Sequence, residues 1–209
     1  MPYEFSYKIN NTDHVFRCDI NSVRCEANKN NGGRCERVCA IGTPFCWSHL
    51  LNKKKLRIKT SGIPRAGKGL YAQANRSAND KTTVVFAKNK EIINYTGDII
   101  DNEELTRRYD LDEDNQFTAP YGFELKKKES FVDSACNRGV AALVNHKSFS
   151  KANATFVKTR RNGRVTGITL KAKKNITNNQ EIFASYGTEY NRKGTTHKTT
   201  YKRNPRRRN

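Results

Sequence analysis

The chain has 209 residues, room for one full domain and a small satellite module, and its 40 Lys and Arg against 20 Asp and Glu give a formal net charge of +20. Such an excess calls for an anionic partner, nucleic acid first among them. Apolar residues are only 35% of the chain, but its Phe, Tyr and single Trp suffice to seed a core, which excludes global disorder, and no apolar run nears the roughly 18 residues of a membrane span.

In chain order, the opening MPYEFSYKIN lacks the basic-then-apolar shape of a secretion signal, so a soluble intracellular protein with no membrane partner is expected. Five of the six cysteines then fall between Cys18 and Cys46. In a reducing compartment such a local cluster favours a metal over a disulfide framework. Cys25, Cys35, Cys46 and His49 offer three thiolates and one imidazole, the donor set of a closed structural zinc site with no position left for catalysis. The C-x-x-H spacing of Cys46 and His49 puts two ligands on one turn or helix start, and Asn30, Asn31, Gly32 and Gly33 allow the bend that aims Cys35 inward. Cys39 and Cys18 are then spare, or one of them replaces a neighbour. So polar a segment can hardly fold by burial alone, whereas zinc supplies on the order of 10–16 kcal/mol in small zinc peptides. Residues 1–52 are therefore read as a small Cys/His module with zinc as its core; the plainer reading is buried or redox-active thiols beside an ordinary histidine. The spacing also resembles a small "C…C…C-W-x-H" motif found in proteins of large DNA viruses, and the Asn- and Lys-rich composition fits such a source.

After His49, LLNKKKLRIKT reads as a basic connector into a first strand at 56–59, with a domain boundary near residue 52. Short β-like runs follow at 83–86, 91–95, 131–132, 167–171 and 181–184, separated by Gly, Asn, Asp and Pro. Residues 55–190 are thus expected to be a β-rich α+β domain with few helices. The stretch 101–114 carries seven acids against two arginines, and ELTRRYDL within it is the best helical candidate. From Arg192 to Asn209 there are eight Lys or Arg and no acid, which predicts a basic disordered tail over 191–209. YKRNPRRR and KKKLRIK read as nuclear import signals, phosphate clamps or simply solubilising runs.

Four segments of the β-rich region resemble, in order and at family spacing, the motifs of SET-domain protein lysine methyltransferases. SGIPRAGKGLYA is similar to the opening "G-x-G-hydrophobic-aromatic-A", through Gly67, Gly69, Leu70 and Tyr71. EIINYTGDII is similar to the "Y-x-G-E" strand, with Tyr95 and Gly97 matched and Asp98 in place of Glu. FVDSACNRGVAALVNHKSFSKANATF matches at Asp133, Ala141, Asn145, His146, Asn153 and Ala154, and ITLKAKKNITNNQEIFASYG at Ala172, Ile176, Glu181, Ile182, Tyr186 and Gly187. Ala142 stands where the family has Arg, Lys147 where it has Ser, and Asn179 and Gln180 where it has Gly and Glu. No Cys triplet follows Tyr186, so the zinc-bound lid of many relatives is absent and Tyr190 with the basic tail is left to close the substrate side. This compact form resembles the viral branch most.

The resemblance implies a fold of several small sheets with a knot-like C-terminal arrangement. It also implies transfer of a methyl group from S-adenosylmethionine to a lysine ε-amine. At pH 7 the neutral amine lies about 3.4 pKa units, near 4.6 kcal/mol, above the ammonium. Desolvation and a nearby positive charge lower that barrier, as an aromatic-lined passage would. By the same resemblance Tyr186 is the central catalytic residue, and Tyr95 lines or polarises the channel. Asn145 and His146 hold the cofactor, Lys68, Gly69 and Leu70 lie against it, and Tyr109 packs on it. Phe156 and Ala184 border the lysine channel and, having few hydrogen-bonding groups, leave room for di- or trimethylation.

The implied substrate is a histone or histone-like protein, attracted by the acids of 101–114. The zinc module and tail would grip DNA or chromatin. The expected setting is the host nucleus or a viral factory, or packaging in the virion, with a dimer one oligomeric option. The alternative is a nucleic-acid-binding or packaging protein that keeps a decayed SET domain as scaffold.

Overall fold

The computed structural model describes residues 23–39, 43–74, 77, 79–109, 119, 121–126 and 129–187 in full, and 2–9, 12–19 and 200–201 as backbone. Near the N-terminus β1 (Pro2–Ile9) and β2 (Thr12–Asp19) pair as an antiparallel hairpin. After the cysteine-bearing segment comes α1 (Trp47–Lys54), which begins immediately after Cys46 and stops at Lys55. Lys55 adopts a left-handed φ of 57° and turns its N–H back to the Leu50 and Leu51 carbonyls. Residues 50–54 of the stretch read as a connector are therefore helical, and residue 52 lies inside α1. Leu50 and Leu51 are both buried, and Leu50 joins the main core, so this one turn ties the cysteine segment to the domain that follows.

The chain continues through the β3 (Leu56–Thr60) and β4 (Lys68–Ala72) hairpin, then β5 (Val84–Phe86), β6 (Glu91–Tyr95) and β7 (Asp98–Ile100). The acidic segment supplies α2 (Asn102–Tyr109), capped by Asp101 Oδ1, which accepts the Glu104 N–H at 2.8 Å. Glu103 and Glu104 in its first turn and Arg107 and Arg108 in its last complement the helix dipole. Next come β8 (Gly122–Lys126), β9 (Ser130–Asp133), a 3-10 turn at Val140–Leu143 and β10 (Asn145–His146). A long hairpin of β11 (Ala154–Arg161) and β12 (Arg164–Ala172) follows. Its Asn162-Gly163 turn has φ of 50° and 77°, the left-handed pair that matches strand twist in a two-residue loop. The last elements are β13 (Ile176–Thr177), β14 (Phe183–Ala184) and β15 (Thr200–Tyr201), which pairs with β1.

The strands sort into several small sheets, and the five-stranded one carries Tyr95, Asn145 and His146. Its order is β10-β14-β11-β12-β6. Because β10 and β11 are consecutive in the chain yet flank β14, the 147–153 connection must cross over β14, which is the knot-like arrangement expected. Asn153 locks it, donating from Nδ2 to the Glu181 carbonyl at 2.9 Å and accepting the Phe183 N–H on Oδ1 at 2.8 Å. The main core beneath gathers Leu56, Leu70, Val140, Val144, Leu170 and Ile182. Tyr190, the acids of 110–114 and the tail apart from Thr200 and Tyr201 lie outside the described residues.

Candidate functional site

Three groups of side chains converge. In the first, the Sγ atoms of Cys25, Cys35 and Cys46 and a ring nitrogen of His49 all lie within 4.8 Å of one another. Cys25 Sγ and Cys46 Sγ stand 3.4 and 3.3 Å from His49 Nδ1, and Cys35 Sγ lies 4.0 Å from Cys46 Sγ. A tetrahedron with metal–sulfur bonds of about 2.3 Å has edges of roughly 3.5–3.8 Å, so these separations suit one ion at the centre. Cys46 begins the helix and His49 lies in its first turn, as the C-x-x-H spacing predicts. Burial opposes ionisation of Cys25, but the Cys46 and Ala27 backbone N–H groups, then His49 and Cys46, outweigh it and bring the thiol down to about 6. Cys39 is buried against this set, and burial together with the neighbouring sulfurs pushes its thiol up to about 12. It is not one of the four mutually close ligands.

The second group forms where β14 passes between β10 and β11. Asn145 and His146 pair with Phe183 and Ala184 in parallel register, which brings Tyr186 over His146. The Tyr186 N–H donates to His146 Nδ1 at 3.1 Å, fixing the proton of a neutral ring on Nε2, and the two rings lie 5.2 Å apart. Tyr186 is 40% exposed, while its hydroxyl turns inward to donate to the Val144 carbonyl. Asn145 Nδ2 donates to the Lys68 carbonyl at 3.1 Å and to Glu181 Oε1 at 3.2 Å, which leaves Oδ1 as an acceptor with no partner among the described residues.

Glu181, which the sequence marks only as a motif match, organises this place. Its buried carboxylate also accepts from Ser61 Oγ at 2.7 Å, the Gly62 N–H at 2.8 Å and the Tyr71 hydroxyl at 3.0 Å. A Cβ on Gly69 would sit 2.1 Å from Glu181 Oε1, so the motif needs glycine for backbone approach rather than for a bend. Leu70 lies under the surface in the main core.

The third group is aromatic. Tyr95, Phe123 and Phe156 meet edge to face or tilted, with centroids 5.4–6.0 Å apart. Tyr95 donates to the Tyr121 carbonyl at 2.7 Å, and burial pushes its phenol up. Phe156 packs against both the main core, with Val144 and Ala184, and the cluster holding Tyr95, so it joins this group to the second. Phe123, in β8, and Tyr121, just before it, carry no signal in the sequence because β8 sits between segments of weak pattern.

Tyr109 is placed elsewhere. It is fully buried with Ile100, Leu105 and Phe131, and its hydroxyl donates to Asp133 at 2.6 Å, so its ring presents no surface to a ligand. Beside it, Asp98 and Asp133 face each other across β7 and β9, and Arg108 spans the pair at 3.0 and 2.8 Å. A cleft of about 320 Å³ between Phe45 and Lys54 on one side and β6 on the other is lined by none of the predicted site residues.

Three of the departures from the family pattern find physical accounts, and nothing in the structure explains Ala142. Asn179 replaces Gly at a left-handed φ of 64°, where Asn is the best-tolerated substitute, and Gln180 Oε1 closes the same turn on the Thr177 N–H at 3.0 Å. Lys147 stacks its ammonium 3.7 Å from the Phe183 ring centroid, while its N–H bonds the Ala184 carbonyl at 3.0 Å.

The SET domain family profile matches residues 67–187, well over half of the chain. The protein belongs to the SET domain family, a family of protein lysine methyltransferases. Among solved structures it is similar to the Chaetomium thermophilum polycomb repressive complex 2, at 21% identity over 70% of this chain and 17% of that one, with a TM-score of 0.51. An active polycomb repressive complex 2 in the stimulated state matches at 23% identity over 74% and 18%, with a TM-score of 0.51. Another, in complex with H3K27me3 and H3K27M, matches at 24% over 64% and 14%, with a TM-score of 0.50. These likenesses are of fold, and this chain spans less than a fifth of each of those chains. No curated protein matches. Among the described residues no helix is long and apolar enough to cross a membrane.

Proposed function

We propose that the protein is an S-adenosylmethionine-dependent protein lysine N-methyltransferase acting on histones or histone-like basic proteins. The observation that carries this reading is the meeting of Gly69, Asn145, His146 and Tyr186 where β14 is threaded between β10 and β11. The cofactor suits this place: Asn145 Oδ1 is an unused acceptor for an ammonium, beside a backbone that only glycine lets come so near. Asn145 and His146 hold it, with Lys68 and Gly69 against it and Leu70 supporting from beneath. When bound, the cofactor supplies an electrophilic methyl group.

The chain's own residues prepare the amine. With its proton engaged by the Val144 carbonyl, the Tyr186 oxygen meets the lysine amine as an acceptor and aligns it for attack. Tyr95, Phe123 and Phe156 remove water, which favours the neutral amine. Phe156 and Ala184 carry no hydrogen-bonding side-chain group to restrain an amine already methylated, so di- and trimethyl products are expected.

Cys25, Cys35, Cys46 and His49 hold a structural zinc; Cys39 stands behind them, and the Cys18 side chain lies outside the described residues. The fold relative bound to H3K27me3 makes a histone H3 tail the first substrate to try. A source in a large DNA virus, work in the host nucleus or viral factory, packaging in the virion, dimerisation, and contact with DNA or chromatin through the zinc module and tail complete the reading.

Incubation with methyl-labelled cofactor and a histone mixture is expected to label a histone, and Tyr186→Phe to slow transfer about 10²–10³-fold with cofactor affinity retained. Absence of transfer to any basic protein, alongside tight salt-sensitive DNA binding, would instead favour a scaffold whose +20 charge is the working part.

A further inference from the structure

From residue 134 to 180 the chain has ten Lys and Arg and no Asp or Glu. The β11–β12 hairpin projects the densest part of this run. Lys158, Arg160, Arg161 and Arg164 are all exposed around the Asn162-Gly163 turn, and Arg161 faces Arg164 directly across the ladder. Like charges in that position repel each other. The molecule shows how it treats such a pair elsewhere: where Asp98 opposes Asp133, Arg108 lies between them. At the hairpin tip nothing comparable is present among the described residues. Lys158 has a distant carboxylate, Glu124 at 3.7 Å, and Arg160 donates to the Gly163 carbonyl at 3.2 Å, but Arg160, Arg161 and Arg164 have no acidic partner.

We infer that the β11–β12 tip is a binding element for the phosphate backbone of duplex DNA, separate from the zinc module and tail. The missing counter-charge points to a polyanion. The side chains around the arginines, Thr159, Asn162 and Thr166, suit phosphate and sugar. Among the described residues no exposed apolar or aromatic anchor stands at the tip, which argues against a protein hot spot or insertion into a membrane. A two-stranded ribbon also fits the major groove of B-form DNA, which is about 12 Å wide, and not the narrow one of A-form RNA. The inference stands whether or not methyl transfer is demonstrated.

The test is fluorescence anisotropy of the full chain with a labelled 24-base-pair DNA duplex over a salt series. The Arg160→Gln/Arg161→Gln/Arg164→Gln variant is expected to bind about 10- to 100-fold more weakly at 0.1 M salt. Its slope of log K against log salt should be shallower by about 2.7, near 0.9 for each lost phosphate contact. A charge-matched control, Lys81→Gln/Lys88→Gln/Lys90→Gln, should retain most of the affinity, and thermal unfolding of the hairpin variant in low salt should be no lower than wild type because repulsion is relieved. Unchanged affinity and slope would overturn the inference, as would an equal loss in the control. So would tighter binding to duplex RNA, or a loss confined to acidic peptide or anionic vesicles.

Discussion

In the segment from Cys25 to His49 four side-chain heteroatoms are gathered within 4.8 Å of one another; from Asn145 to Tyr186 backbone strands interleave. The first segment buries its cysteines, Ala27 and part of Phe45, and spans its turns with isolated backbone bonds such as Cys25 N–H to the Arg37 carbonyl at 2.9 Å. The second rests on Leu56, Leu70, Val144, Leu170 and Ile182, with β14 bonded on both sides. On the proposed zinc reading, the difference is one of where stability resides: in the first it would be removed by taking out one ion, in the second only by spoiling packing.

Chelation is the hardest blow to that comparison. Purified protein is expected to carry one zinc per chain, to lose it with Cys25→Ser or Cys46→Ser, and to keep it with Cys39→Ser. At stake is a local contribution on the order of 10–16 kcal/mol, so the 23–49 segment should lose protection from proteolysis while 56–187 keeps most of its own. Metal analysis and limited proteolysis read both halves. A segment that resists protease after complete metal removal would mean that the sulfurs act as ordinary core atoms.

Gly69→Ala attacks the other half. The new methyl group would fall 2.1 Å from a Glu181 oxygen and 3.1 Å from Asn145 Nδ2. Glu181 cannot swing aside without giving up Ser61, the Gly62 N–H, Tyr71 and Asn145 together. A loss of about 1–3 kcal/mol is expected, read as a fall in Tm, with cofactor affinity reduced and zinc content unchanged. Equal loss of zinc would show that the two regions are not energetically distinct.

Much of this was legible because side-chain chemistry announces itself at short range. The proximity of Cys25, Cys35, Cys46 and His49 needed only spacing, and that of Asn145, His146 and Tyr186 only their motifs, since parallel pairing of two short strands brings together what 40 residues separate. What stayed hidden depended on context. α1 has a single Leu pair for an apolar face and a run of lysines after it, too little for a helical period. The Asn162-Gly163 dipeptide was a hairpin signal in plain view, but flanking arginines masked the alternation that would have exposed β11. Tyr109 is expected to pack on the cofactor from an acidic stretch; instead it is buried among Ile100, Leu105 and Phe131, with Asp133, 24 residues on, accepting its hydroxyl. Glu181 is more than a motif position only once four donors distant in sequence, from Ser61, Gly62, Tyr71 and Asn145, surround it.

The smallest expected effect concerns the joint between the sheets and α2. Arg108, which bridges Asp98 and Asp133, is itself held at Nε by Glu104 at 2.7 Å, and Arg107 takes the other oxygen of Glu104 at 2.7 Å. Arg107 first and Arg108 second draw the Glu104 carboxyl down to about 2. Since this lies below its unfolded value near 4.5, the charged form favours the fold. The contribution is complete above about pH 4.5 and fades as pH falls toward 2. Exposed pairs of this kind count for little singly, so Glu104→Gln should lower Tm slightly at pH 7. The gap from wild type should close between pH 4.5 and 2 in thermal scans. A gap that persists at pH 2 would mean that Glu104 serves α2 through packing or its hydrogen bonds and not through its charge, leaving Arg108 to be oriented by the two aspartates alone.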